Sequence, residues 1–188
     1  NMKSQKRQIK FLERKEVEHL IESIVPEGFR GTRDRALIEV LFSTGMRIHE
    51  ALNLQLDEVL ILLQEKGTSE FPIIGKGGWQ RVIFFSPRAK KAISAYLDQR
   101  MENADERLFP FTIRCAQQIV ARRAIEAGIT KKVTPHVFRH SLATDLLRKG
   151  VDIRFVSEFL GHRSINNTMI YTHVVNEQLR SIHKKIYK

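Results

Sequence analysis

The chain has 188 residues, 42% of them hydrophobic, which is long enough for one well-buried core and too short for two domains to be expected. Its 32 lysines and arginines against 21 acids leave a formal charge of +11, a balance that favours a polyanionic partner. The single cysteine, Cys115, excludes an internal disulfide and a paired-cysteine zinc site, and no run reaches the roughly 18 apolar residues of a membrane span, so a cytoplasmic protein without a membrane partner is expected.

Residues 1–10 carry Lys3, Lys6, Arg7 and Lys10 without apolar periodicity and read as a basic linker or arm suited to phosphates. Asn1 ahead of Met2 leads us to expect a fragment of a longer protein. From Phe11 to Ile24, the residues Val17, Leu20, Ile21 and Ile24 recur at helical spacing, and Pro26-Glu27-Gly28 ends the pattern. A second helix is predicted from Asp34 to Thr44 and a third from Arg47 to Leu52, with Gly45 turning the chain between them.

Between Val59 and Phe85 the texture becomes β-type. Strands are predicted at Leu60–Leu63, Phe71–Ile74 and Arg81–Phe85, joined by turns at Lys66-Gly67-Thr68 and Gly75-Lys76-Gly77-Gly78. Helices then follow at 89–101, 113–127, 135–149, 153–160 and 164–170. The tail places Val175, Leu179, Ile182 and Ile186 on one helix face amid basic residues, an amphipathic pattern that needs an apolar partner. The fold class expected is mainly α with a small antiparallel β-sheet, residues 11–188 forming one domain.

Chemistry on a phosphodiester without a metal needs a nucleophile, cations for the non-bridging oxygens and an acid for the leaving oxygen. Arg47 opens a helix after a glycine turn, and Arg139 lies one helical turn beyond His136 on the same face. An arginine fork gives paired, planar hydrogen bonds to phosphate that lysine cannot match. His136 and His140, at i and i+4, also admit a metal reading, with His162 and His173 downstream. The zinc-hydrolase pattern requires a glutamate directly after the first histidine, where this chain has Val137.

Thr44-Gly45-Met46-Arg47-Ile48-His49-Glu50-Ala51-Leu52 resembles the first arginine box of the tyrosine recombinases, the integrase and Xer-type family. His136-Val137-Phe138-Arg139-His140-Ser141-Leu142-Ala143-Thr144 resembles the second box, followed by Leu160-Gly161-His162-Arg163-Ser164 and Ile170-Tyr171-Thr172-His173. The resemblance extends from the first helix to the tail. It implies the catalytic domain of a site-specific recombinase that cleaves and rejoins double-stranded DNA through a 3′-phosphotyrosine intermediate, with no metal or nucleotide cofactor.

Carried over by residue, the resemblance makes Tyr171 the nucleophile, Arg47 and Arg139 the phosphate clamps, and His162 a further hydrogen-bond donor. Lys76 matches the hairpin lysine that protonates the leaving 5′-oxygen, His136 the general acid or base, and Glu50 a supporting acid paired with an arginine. The resemblance also implies a homo-oligomer on DNA, a tetrameric synapse in which the helix at 175–188 is exchanged in trans, acting at the nucleoid. The family's N-terminal core-binding domain is expected to be absent from this chain. His49 and Asp145 depart from the family pattern, standing where a small residue and a histidine are usual, and Trp79 and Gln80 replace a more basic hairpin composition. Two neighbouring classes share the pattern: a DNA-binding module that has lost its chemistry, which the six catalytic groups argue against, and a type IB topoisomerase, from which the compact second box departs.

Overall fold

A computed structural model of the protein describes residues 10–75, 78, 80–101 and 105–161. Helix α1 (Arg14–Ser23) turns Val17, Leu20 and Ile21 inward, the spacing that marks it in the sequence. Helix α2 (Gly28–Thr44) begins six residues before the expected start at Asp34. Its first turns are held by polar contacts that apolar periodicity does not register. Thr32 Oγ1 donates to the Gly28 carbonyl at 2.9 Å, and the Arg33 guanidinium stands 5.6 Å from the ring centres of both Phe29 and Phe111. Gly31 admits the preceding loop, since a Cβ there would lie 2.3 Å from the Val25 carbonyl oxygen.

Helix α2 is buried around most of its circumference, which marks the central helix of a helical domain. It packs against α5 (Pro87–Leu97), α6 (Ile113–Glu126) and α7 (Pro135–Arg148). Asp34, fully buried within it, accepts from Arg122 at 2.7 Å and Arg123 at 2.9 Å, so the charge placed in the core is paired by α6.

The strand expected at Leu60–Leu63 is instead part of helix α4 (Leu56–Gln64), which follows the short helix α3 (Ile48–Leu52). Val59 and Leu62 are buried at helical spacing, while Leu60 and Ile61 face solvent. A short unbroken apolar run carries no period of its own, and Asp57 and Glu58 in the first turn favour a helix start. The remaining two strands form as expected. β1 (Ser69–Ile74) and β2 (Gln80–Phe85) pair antiparallel in one two-stranded sheet, with Phe71 opposite Ile83. Strand β2 alternates strictly, turning Arg81, Ile83 and Phe85 inward, and Phe71 meets Phe85 edge-on with ring centres 5.8 Å apart.

Helices α5, α6, α7 and α8 (Ile153–Leu160) lie within a few residues of expectation because each carries its own start signal. Ser86, Thr112 and Asp152 cap α5, α6 and α8 by accepting from a backbone N–H, and proline opens α5 and α7. A second small core of Ala143, Leu147, Val156 and Leu160 joins α7 to α8.

The segment entering α1 is fastened to α7. Leu12 N–H donates to Ser141 Oγ at 2.8 Å, Arg148 pairs with Glu13 and lies over the Phe11 ring, and Arg14 pairs with Asp145 at 3.0 Å. Asp145, unusual for the family motif, thus has a local partner on α1. Residues 1–9, the short helix expected at 164–170 and the tail at 175–188 lie outside the described residues.

Candidate active site

The site is built on two left-handed glycine turns. Gly45 ends α2 with φ 61°, and a Cβ there would lie 3.0 Å from Leu142 Cδ2 and 3.1 Å from Leu160 Cδ2. Only glycine meets both the backbone and the packing demand at this position. The chain leaves the turn so that Arg47 caps α3, a helix of five residues. Gly161 plays the same part at the end of α8, with φ 64°.

Glu50, three residues into α3, reaches back to its start. Its Oε2 accepts from Arg47 N–H at 2.7 Å and its Oε1 from Arg47 Nη1 at 3.3 Å. From the sheet, Arg81 adds a fork, donating through Nη1 at 3.1 Å and Nη2 at 2.7 Å. Glu50 is 9% exposed and Arg81 8%. Burial alone pushes the Glu50 carboxyl up, but the Arg81 hydrogen bonds, the Arg47 backbone N–H and the two guanidinium charges together hold it below the ordinary carboxylate range. It is therefore ionised at neutral pH, linking two arginines.

Arg139 projects from α7 and is 2% exposed. Its Nη1 donates to the Gly45 carbonyl at 2.7 Å and its Nη2 to the Leu160 carbonyl. Both acceptors belong to helix C-terminal ends, of α2 and α8, where unpaired carbonyls and the helix dipole favour a cation. Arg47 Nη2 donates to the adjoining Gly161 carbonyl at 3.3 Å. The last two residues of this turn thus hold both arginines of the sequence motif.

His136 faces solvent on one side and protein on the other. Lost hydration lowers its pKa first, and the nearby charges of Arg139 and Arg47 lower it further, so the imidazole is neutral and ready to accept a proton. His140 meets it edge-on with ring centres 4.9 Å apart. Burial, then His136 and Arg139, push His140 down to about 4.

This pairing gives a pH prediction. An unfolded chain binds a proton at His140 near the ordinary value of about 6.5, whereas the folded chain resists it. The stabilising effect of a neutral His140 is therefore complete above about pH 6.5 and is lost as pH falls from there toward 4. Thermal melts across that range, compared with His140→Gln, are expected to diverge from a common trend below about pH 6.5. Parallel melting curves for the two proteins would contradict it.

The described residues thus bring together Arg47, Glu50, His136 and Arg139. Lys76, His162 and Tyr171 lie outside them, although Gly75 and Gly78 on either side of the hairpin turn are joined by a 3.2 Å backbone hydrogen bond. Among the described residues no three His, Cys, Asp or Glu side chains gather as a metal site. Sequence reasoning missed Arg81. Its signal was the alternation of β2: Arg81 shares the inward face with Ile83 and Phe85, and an inward charge demands a buried partner.

The phage integrase family profile matches residues 10–178. The chain is 37% identical to the tyrosine recombinase XerC of Listeria welshimeri, over 97% of this chain and 64% of that protein. It is 35% identical to XerC of Bacillus subtilis, over 95% of this chain and 62% of the relative. Among solved structures, it is similar to the XerA recombinase, with a TM-score of 0.80 and 34% identity over 97% of this chain and 66% of that one. A XerH site-specific recombinase in a post-cleavage complex with palindromic difH substrate gives a TM-score of 0.81 at 28% identity, covering this whole chain and 56% of that one. The mainly helical fold with its two-stranded sheet is that of a tyrosine recombinase catalytic domain. The chain belongs to the phage integrase family and, within it, stands beside the Xer tyrosine recombinases. It spans about two thirds or less of the length of these relatives.

Proposed function

We propose that this chain is the strand-cleaving part of a site-specific recombinase acting on double-stranded DNA. The observation that carries the reading is the convergence of Arg47 and Arg139, from separate motifs, on the adjoining carbonyls of Leu160 and Gly161 beside His136. Two guanidinium groups held in one place suit the non-bridging oxygens of a phosphodiester and the charge that grows on them in a pentacoordinate transition state. The formal charge of +11 supports a DNA partner.

In this reading the Tyr171 hydroxyl attacks phosphorus, and the bond from phosphorus to the 5′-oxygen breaks as the bond to the tyrosyl oxygen forms. His136 takes the phenolic proton, and Lys76 gives a proton to the leaving 5′-oxygen. His162 adds a hydrogen bond to the phosphate, and Glu50 orients Arg47. Attack by a 5′-hydroxyl reverses each step and rejoins the strand, so the bond energy is kept without a metal or ATP.

Residues 11–188 act as the catalytic domain, with 1–10 as a basic arm on the phosphates. Among the described residues no helix is long and apolar enough to cross a membrane. In this reading the protein works on DNA in the cytoplasm, at the nucleoid. The synapse is a tetramer in which each tail at 175–188 reaches a neighbouring protomer. Support comes from an apolar groove of about 1210 Å³ beside the site, lined in part by Val82, Phe84, Leu142, Phe155 and Phe159. Deleting residues 175–188 is expected to abolish synaptic complexes on gel filtration while DNA binding persists; undiminished synapsis rejects the exchange.

The direct test is covalent trapping. The protein is incubated with a pool of nicked duplexes whose cleaved strand diffuses away, then denatured. DNA that stays attached, with the nucleotide mapped by mass spectrometry to a peptide containing Tyr171, supports the reading. A protein that binds the pool and never forms an adduct refutes cleavage.

A further inference from the structure

We propose that Arg81 is a positioning residue for strand cleavage, holding Arg47 in place through Glu50 and Gly161, the two groups that anchor it among the described residues. The inference rests on the strand-cleavage reading and adds a residue outside the sequence motifs.

Among the described residues Arg47 has two side-chain anchors, the Glu50 carboxylate and the Gly161 carbonyl. Arg81 touches both residues. It forks onto Glu50 from β2, so the carboxylate receives one hydrogen bond from each guanidinium at Oε1, and one from Arg81 and one from the Arg47 backbone at Oε2. These four donors match the acceptor capacity of a carboxylate, and the Glu50 side chain has no slack to turn. Arg81 also lies flat against Gly161: a Cβ at that glycine would come within 2.9 Å of Arg81 Cδ and 3.0 Å of Nη1. The absent side chain of Gly161 is the space that the guanidinium occupies.

A simple buried ion pair would not need this arrangement. Arg81 Nε is buried without a hydrogen-bond partner among the described residues, a cost that an arginine placed only to neutralise Glu50 would relieve by rotating. Here the guanidinium is held between Glu50 and Gly161, facing the two supports of Arg47. Arg81 is also the second residue of β2, five positions after Lys76.

The test uses Arg81→Lys, which keeps the charge and loses the planar fork. Three quantities are read on the 188-residue chain: thermal melting, retention of the nicked-duplex pool, and the initial rate of covalent attachment. The expected result is a folded protein that retains DNA within about twofold of the wild type and attaches to it roughly tenfold to hundredfold more slowly, as misplacement of a catalytic group predicts. In the DNA-free protein, the NMR signals of the Arg47 Nη1 and Nη2 protons, which donate to Glu50 and to the Gly161 carbonyl, are expected to lose protection from solvent exchange.

A folded Arg81→Lys protein with the wild-type attachment rate overturns the proposal, as does an unchanged Arg47 signal. Should Arg81→Lys not fold, Arg81→Gln takes its place with the same readings, since it keeps a planar polar group on the strand and loses the fork onto Glu50. If the wild type itself forms no adduct, the strand-cleavage reading falls. The Arg47 signal then decides alone whether Arg81 holds Arg47.

Discussion

Tyr171→Phe is expected to abolish covalent attachment to DNA while leaving retention of the same duplexes within about twofold of the wild type. The phenolic oxygen is the only atom removed, and in the proposed reaction it is the atom that joins phosphorus. Retention depends on lysine and arginine contacts to phosphates, which the variant keeps, so its dependence on salt should be unchanged. The chain has three tyrosines, which makes the assignment testable by elimination. Tyr96 is fully buried, its ring stacked on Phe109 with centres 5.7 Å apart. Burial pushes its hydroxyl pKa up, so neither access nor acidity suits it to attack a phosphate. Tyr187 is the control: Tyr187→Phe is expected to attach normally. An adduct that survives Tyr171→Phe and disappears in Tyr187→Phe would reassign the nucleophile.

The elements that the sequence made legible are those with their own local signals. Helix α8 is predicted to the residue because Asp152 caps its start, a strong apolar face runs along it, and Gly161 stops it. Helix α4 was misread because Leu60-Ile61-Leu62-Leu63 has no period, and only its packing shows that Val59 and Leu62 are the buried pair. The start of α2 was lost for a related reason, since Arg33 and Thr32 hold it through contacts rather than pattern.

For the site, Arg47, Glu50, His136 and Arg139 could be named from motifs because their spacing within each motif is short. Their mutual geometry could not. The carbonyls of Gly45, Leu160 and Gly161 that fix the two arginines are backbone atoms, invisible in a residue pattern, and the Arg81–Glu50 fork joins positions 31 residues apart. A side chain chosen for its reach across the fold leaves no local trace except its inward position on a strand.

Arg139→Lys is expected to lower the rate of strand cleavage by about 10² to 10³, the usual effect of losing one preorganised contact to a developing charge. Charge alone predicts little change, because lysine is also a cation. The difference lies in shape. Arg139 spans two helix ends, with one Nη on the Gly45 carbonyl and the other on the Leu160 carbonyl, both buried. An ammonium group is a compact donor on a flexible stem and does not reproduce that planar fork. One carbonyl then loses its partner, at a cost of about 1 to 3 kcal/mol if it stays dry, and the Gly45 turn is released from the end of α8. Since that turn leads directly into Arg47, the loss reaches the second phosphate clamp as well. Melting temperature and cleavage rate should therefore fall together, while the salt slope of DNA binding, which counts charges, stays the same. Wild-type cleavage by a folded Arg139→Lys protein would mean that only the charge at this position matters and that the two-carbonyl clamp has no part in catalysis.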